Sequence, residues 1–367
     1  MSGPVPILLM ARELGLGGTE RQLTEIARAL DRGRFTPHVG CLHAEGLRGA
    51  ELEAAGVPIV RFPVRSLYRP STLRAGREMG RYLKQHCIRL VHTFDVPMNL
   101  FGVPVAQAYR TPVVLSSQRA FRDLTPGLHR RLLRVTDHLV DGVVVNCEAL
   151  RQHMITDERV SAERIHVCYN GIDTGVFQPG SRTEGDPVTI GIVCALRPEK
   201  GLPTLVEAFA QVALAQVAPA RLAIVGSGPM LPELQRLAAS LGVLDRCHFE
   251  PTTNRVADWL RKIDIFVLPS LSEALSNSLM EAMSCGCAVT ASSTGGNVEL
   301  VQPNVTGLLF PPGDAAKLAE NLRTLVQNES LRRRLAENAS LFIREGFSIE
   351  RSAARMAEIY HRCLYHS

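Results

Sequence analysis

The sequence predicts an α/β protein of two Rossmann-like domains, each a parallel sheet covered by helices, facing one another across a cleft. Three observations predict it. Apolar strand-like runs alternate with amphipathic helical patterns along the chain, the arrangement that yields parallel sheets under helices. A length of 367 residues is long for one core and suits two of roughly 170 each. Between the two series of runs lies TGVFQPGSRTEGDP, residues 174 to 187, whose Gly, Pro and charge read as a linker.

The first series opens with PILLM (6 to 10), followed by a helix expected from Thr19 to Leu30, then HVGCLH, RLVHTF, PVVLSS and GVVVN. The second runs VTIGIVCAL, RLAIVG, CHFEP, IDIFVLP, CAVTAS and GLLFP, again separated by helical segments. The expected boundaries are a first domain over 1–175, a linker over 176–187, a second domain over 188–346 and a final helix within 347–367. That helix shows a stripe at Ile349, Ala353, Met356, Ile359 or Tyr360, and Cys363 or Leu364.

The formal charge of +5 is unevenly spread: residues 1–180 carry 23 Lys+Arg against 17 Asp+Glu, the remainder 18 against 19. The amino-terminal half is the basic one. Nine cysteines are scattered without paired C-x-x-C spacing, which argues against a zinc site or a disulfide framework and for small core residues in a reducing compartment. MSGPVPILLM has no basic region ahead of its short apolar run, unlike a signal peptide. No stretch approaches the roughly 18 uninterrupted apolar residues of a membrane helix. The expected location is cytoplasmic, with any membrane contact peripheral and at the inner face.

The richest stretch is Asp264 to Asp314. IFVLP reads as a buried strand, SLSEALSN as a polar turn, and SLMEAMSC as a helix ended by Gly286. Glu273 and Glu281 therefore flank a strand-to-helix junction, where open α/β sheets bind ligands and where a helix start suits phosphate. The order S-x-x-E-A-L, E-A-M-x-x-G, T-G-G-x-x-E-L resembles the retaining GT-B nucleotide-sugar glycosyltransferases, the large group 1 class of family 4 type. GLGGTERQL (15 to 23), NGID (170 to 173), LRPEKG (196 to 201) and VGSGP (225 to 229) extend the resemblance over nearly the whole chain. It implies the GT-B fold, with the donor in the second domain, the acceptor over the first, and the last helix crossing back to the first domain.

The resemblance also implies roles. Glu273 lies against the transferred sugar and its developing positive charge, within a donor loop that continues through Ala274, Leu275, Ser276 and Asn277. Glu281 binds the ribose hydroxyls, although Ser278-x-x-Glu281 also fits a capping box that stabilises a helix start alone. Arg197 and Lys200 hold the diphosphate, a planar fork and a point charge; a solvated turn shaped by Pro198 and Gly201 is the plainer alternative. Gly17 and Gly18 face the donor diphosphate and Gly296 lies near the phosphates. As a dinucleotide fingerprint GLGGTE fails, because Glu20 takes the third glycine position. No D-x-D triplet occurs, so Arg197, Lys200 and backbone amides replace a metal, and neither metal nor cofactor is expected.

Where many relatives carry a histidine after the strand PVVLSS, this chain has Ser117, Gln118 and Arg119. Gln118 can hydrogen-bond a sugar and Arg119 can pair with a phosphate or acidic acceptor, but neither is a base at neutral pH. That suits a retaining reaction in which the leaving phosphate takes the acceptor proton, and equally suits a silent site. His92 is the nearest alternative polar group, although a lone histidine at a strand end is more often structural. Residues 61 to 89 carry eight basic side chains against Glu78 alone. A helix over 71–86 would line Arg74, Arg77, Arg81 and Lys84 on one face, away from Leu73, Met79, Tyr82 and Leu83, as a surface for anionic lipid or a phosphorylated acceptor or simply as a solvated face.

The expected activity is a retaining, metal-independent hexosyltransferase moving sugar from a nucleoside-diphosphate sugar to a glycan or lipid-linked acceptor. A silent sugar-nucleotide binder, an epimerase or phosphorylase of the same fold, and an NAD-dependent dehydrogenase are the alternatives. Nucleic acid is not an expected partner, since aromatics are 5% of the chain and do not interleave the basic residues.

Overall fold

A computed structural model describes residues 3–44, 46–64, 71–180, 187–215 and 219–365. Packing divides the chain into two units, Met1–Gly171 with Ile349–Ser367, and Ile172–Ser348.

The first unit carries β1 (Val5–Glu13), β2 (Phe35–His43), β3 (Ile59–Arg61), β4 (Leu90–Thr93), β5 (Val113–Gln118), β6 (Gly142–Val145) and β7 (Ile165–Val167). Every adjacent pair is parallel, in the order β3-β2-β1-β4-β5-β6-β7. Helices cover both faces, so strands such as β4 and β6 are buried throughout and read as continuous apolar runs. Ile7, Leu9 and Ala11 of β1 join Leu23 and Ile26 of the helix Gly18–Ala29 and Met356 and Tyr360 of the helix Ile349–Tyr365 in one apolar core. Each such large side chain contributes about 1.5–3 kcal/mol by burial. On the other face the helices Ser71–Gln85, Val96–Ala108 and Gly127–Leu139 pack in that order, side by side.

The second unit carries β8 (Val188–Val193), β9 (Ala220–Val225), β10 (Cys247–Glu250), β11 (Ile265–Leu268), β12 (Ala288–Ser292) and β13 (Leu308–Phe310). Its parallel order is β10-β9-β8-β11-β12-β13. Both sheets reverse their strand order beside their first strand, between β1 and β4 and between β8 and β11. These are the switch points at which such sheets hold ligands.

The structure corrects several boundaries. The first unit ends at Gly171 rather than 175, and residues 172–179 are fastened into the second unit. Ile172 N donates to Phe347 O (2.9 Å), Ser284 Oγ to Phe177 O (2.5 Å), and Arg261 to the carbonyls of Val176 and Gln178 (2.7 and 3.2 Å). The rest of the expected linker, 181–186, lies outside the described residues. The first helix spans Gly18–Ala29, one residue earlier than expected. Cys87 is exposed rather than a core residue. Leu73 is exposed beside Arg74 and Arg77 on Ser71–Gln85, whose buried side is Ala75, Gly76, Met79, Gly80 and Leu83. Among the described residues, no helix is long and apolar enough to cross a membrane.

Candidate active site

At the switch point of the second sheet the chain leaves β8 through LRPEKG and leaves β11 through PSLSEALSN. The two loops are stitched together: Leu271 N donates to Glu199 O at 2.8 Å. Gly201 sits at φ +60°, and a Cβ there would lie 2.2 Å from Pro269 O. A side chain at 201 would thus be strained by its backbone and would also collide with the neighbouring loop. The glycines of VGSGP serve the same junction. Gly226 has φ +146° and a Cβ on it would come 1.8 Å from Cys194 O, while Leu196 N donates to Ser227 O (3.0 Å). That motif is the bed on which LRPEKG rests.

This approach brings Lys200 Nζ to Glu273 Oε2 at 2.6 Å, with Ser270 Oγ donating to the same oxygen at 3.2 Å. The two side chains are 20% and 14% exposed, shielded yet reachable. Burial opposes the Lys200 charge, but the Glu273 carboxylate more than reverses this and raises the lysine above its ordinary pKa. Lys200 therefore remains a cation. Beside it, burial pushes the Cys194 thiol up to about 12, so this half-buried thiol stays protonated. Arg197 stands in front, 65% exposed and 4.0 Å from Glu199.

The loop after β12 completes the platform. Gly296 N donates to Ala274 O (2.6 Å), Ser292 Oγ to Ser270 O (2.6 Å) and Asn297 Nδ2 to Ser292 O (3.1 Å). Gly296 is thereby joined to the donor loop. The helix Asn277–Ser284 is capped by Ser276, whose Oγ accepts from Leu279 N at 3.3 Å. This corrects the Ser278 capping box: Glu281 lies a further turn in and is buried, so helix-start stabilisation does not explain it. Ser270 and Asn297 escaped the sequence reading. Both are fully buried, and burial of a small polar residue in a polar loop leaves no periodic signal. A cavity of about 1420 Å³ beside Thr189, Arg221, Asp264 and Ala288 opens at the opposite ends of these strands and shares no residue with the pair.

In the first unit, Gly17 and Gly18 open the helix Gly18–Ala29. His92, offered as a sugar contact, is instead a core residue. It is hydrogen-bonded through Nδ1 to the Tyr360 hydroxyl (2.8 Å) and through Nε2 to Ser117 Oγ (2.9 Å), and burial lowers its pKa to about 3. Gln118 is likewise spent inward: its Oε1 accepts from Arg122 Nε (3.0 Å) and its Nε2 donates to Ala120 O (2.6 Å). Arg119 is half-buried over Phe94, its guanidinium donating to Asn170 Oδ1 of NGID, and desolvation lowers its pKa to about 10. It is still a cation at neutral pH. Asp95, absent from the sequence reading, lies at the first sheet's switch point. It accepts from Arg12 N (2.5 Å) and Met98 N (2.9 Å), and burial raises its pKa to about 6.

Comparison with known proteins fits this geometry. Residues 16–176 match the family model described as Glycosyltransferase Family 4, and residues 176–342 the one described as Glycosyl transferases group 1. The chain belongs to the group 1 glycosyltransferases. This glycosyltransferase is 27% identical over 315 residues to D-inositol 3-phosphate glycosyltransferase of Streptomyces scabiei, covering 79% of this chain and 70% of that one. It is 30% identical over 209 residues to N-acetyl-alpha-D-glucosaminyl L-malate synthase of Bacillus anthracis, 54% of each chain. Anabaena HepE, solved in complex with UDP and glucose, superposes with a TM-score of 0.85 at 21% identity over 97% of this chain and 99% of its own. That likeness shows the fold, GT-B.

Proposed function

We propose that this glycosyltransferase moves a hexose from a nucleoside-diphosphate sugar to a glycan or lipid-linked acceptor, retaining the anomeric configuration and using no metal. The observation that carries the reading is the Lys200–Glu273 pair at the second sheet's switch point. Lys200, held charged by its partner, and the outward Arg197 supply the two cations that a departing diphosphate needs, a role otherwise given to a metal. The Glu273 carboxylate accepts hydroxyls of the transferred sugar and faces the charge that grows on it. Glu281 accepts from the ribose, and Gly296 gives the phosphates close backbone access. The C1–O bond to the diphosphate breaks, the acceptor oxygen bonds to C1 on the same face, and the acceptor proton passes to the leaving diphosphate. No side chain need act as a general base, in keeping with Gln118 and Arg119.

HepE was solved with UDP and glucose, so UDP-glucose is the first donor to try. A small anionic acceptor is the second reading, favoured by the cation Arg119 and by relatives named for inositol phosphate and malate. The basic face of Arg74, Arg77, Arg81 and Lys84 supports peripheral contact with an anionic membrane at its cytoplasmic side, and with it a lipid-linked acceptor.

The test is sugar release and transfer from UDP-, GDP- and ADP-sugars with and without EDTA, reading the product anomer by NMR. EDTA-insensitive transfer with retention is the expected result. An inverted product or loss of activity with EDTA would overturn the mechanism, and binding of donor without turnover under any acceptor would leave a silent binder.

A further inference from the structure

In the first unit the helix Gly127–Leu139 turns an apolar stripe outward. In Gly127–Leu139 the buried residues are Leu133, Thr136 and Asp137, whereas Leu128 (60%), Leu132 (38%), Val135 (58%) and Leu139 (39%) are exposed. Their spacings of four, three and four residues place them on a single stripe. Arg131, Arg134 and His138 are exposed along its edges.

The orientation is fixed from beneath. Asp137 receives both ends of the buried Arg122 guanidinium (2.6 and 2.9 Å), and the fully buried Glu158 carboxylate accepts from Arg130 and Arg134 (2.7 and 2.8 Å). Rolling the helix to bury the exposed stripe would break this network and strand charges in the interior. The outward stripe is therefore a built feature of the fold.

The same layer carries the basic helix. Gly127–Leu139 packs on Val96–Ala108, which packs on Ser71–Gln85, and the last exposes Leu73 with Arg74, Arg77, Arg81 and Lys84. Apolar side chains edged with cations, two helices away from a cationic face, match the interface of an anionic bilayer: acyl chains take the stripe while headgroups take the arginines. A second copy of the chain is a poor occupant, because stacking this face on itself would oppose like charges.

We propose that this helix layer is a membrane-docking face and that Gly127–Leu139 is its inserting element. The inference rests on the membrane contact read above and adds the residues that enter the lipid. Leu132→Trp in a Trp259→Phe background gives a single reporter, tested with phosphatidylcholine vesicles with and without phosphatidylglycerol. Insertion is expected as a blue shift and quenching by brominated lipid, confined to anionic vesicles. In parallel, Leu128→Ser with Val135→Ser should lower vesicle affinity at least tenfold while donor hydrolysis in solution stays unchanged.

Vesicle binding with the indole reporter unshifted and unquenched would overturn insertion while leaving docking through the basic helix intact. No binding to any vesicle would remove the membrane reading and this inference together. A lipid-free dimer that the Leu128→Ser, Val135→Ser variant converts to monomer would assign the stripe to a second copy and overturn the proposal.

Discussion

Lys200 Nζ and Glu273 Oε2 meet at 2.6 Å across loops 73 residues apart in sequence. The contact exists because Gly201 and Leu271 lock the two loops at their backbones. Glu273 holds Lys200 as a cation, and each side chain positions the other in the absence of substrate, so the site is preorganised.

Lys200→Ala and Glu273→Ala are each expected to reduce transfer by about 10²–10³-fold or more. Each also leaves a shielded charge without its partner, a stability cost of about 1–3 kcal/mol before the solvent that reaches both groups is discounted. Because the residues act as a unit, the double variant should lose much less than the product of the single effects. Turnover within a few-fold of wild type in Glu273→Ala would remove this pair from the reaction.

Glu281→Ala should act on donor affinity. Loss of hydrogen bonds to a carboxylate, about 1.5–3 kcal/mol, corresponds to roughly a 10- to 100-fold weaker donor Kd by calorimetry, with the nucleoside diphosphate alone showing the same loss. An unchanged Kd for the nucleoside diphosphate would mean that this buried carboxylate serves packing instead.

Arg122 holds Asp137 directly and lies 3.5 Å from Glu158, all inside the first unit. Arg122→Ala would strip the buried Asp137 carboxylate of its guanidinium while Glu158 keeps Arg130 and Arg134, and truncating such a network costs about 3–5 kcal/mol. Urea denaturation should show this as a lower midpoint for the first unit. A midpoint within error of wild type would show that water replaces the guanidinium at no cost.

His92 sets an acid limb. Its pKa falls from the ordinary 6.5 to about 3 in the fold, so its stabilising contribution is present above pH 6.5 and is lost as pH falls from there toward 3. Within that window one extra proton binds the unfolded chain, and stability should drop with a slope approaching one proton. His92→Gln should flatten that slope by up to one proton, as followed by denaturation between pH 4 and 7. Parallel limbs for the two proteins would contradict the buried neutral imidazole.

Much of the architecture was legible because parallel sheets under helices write themselves into sequence. Buried strands such as IFVLP and GVVVN are apolar throughout, and the switch-point motifs sit where such strands end. The family could be recognised from S-x-x-E-A-L, E-A-M-x-x-G and their companions, since close backbone approach demands glycine at fixed positions. His92 stayed open between sugar contact and core group for the opposite reason: its partners Tyr360 and Ser117 lie far off in sequence, and no local pattern tells a satisfied core imidazole from a ligand.

By itself the sequence determined the class of fold, the family and the short roster of charged residues at the second sheet's switch point. Tertiary structure alone decided which of them meet. It paired Lys200 with Glu273, moved the helix cap from Ser278 to Ser276, turned Gln118 and His92 inward and turned Leu128, Leu132, Val135 and Leu139 outward. The physical reason is range. Hydrophobic periodicity and glycine placement are encoded within a few residues, whereas a hydrogen bond or ion pair depends on where distant loops and helices are brought by packing.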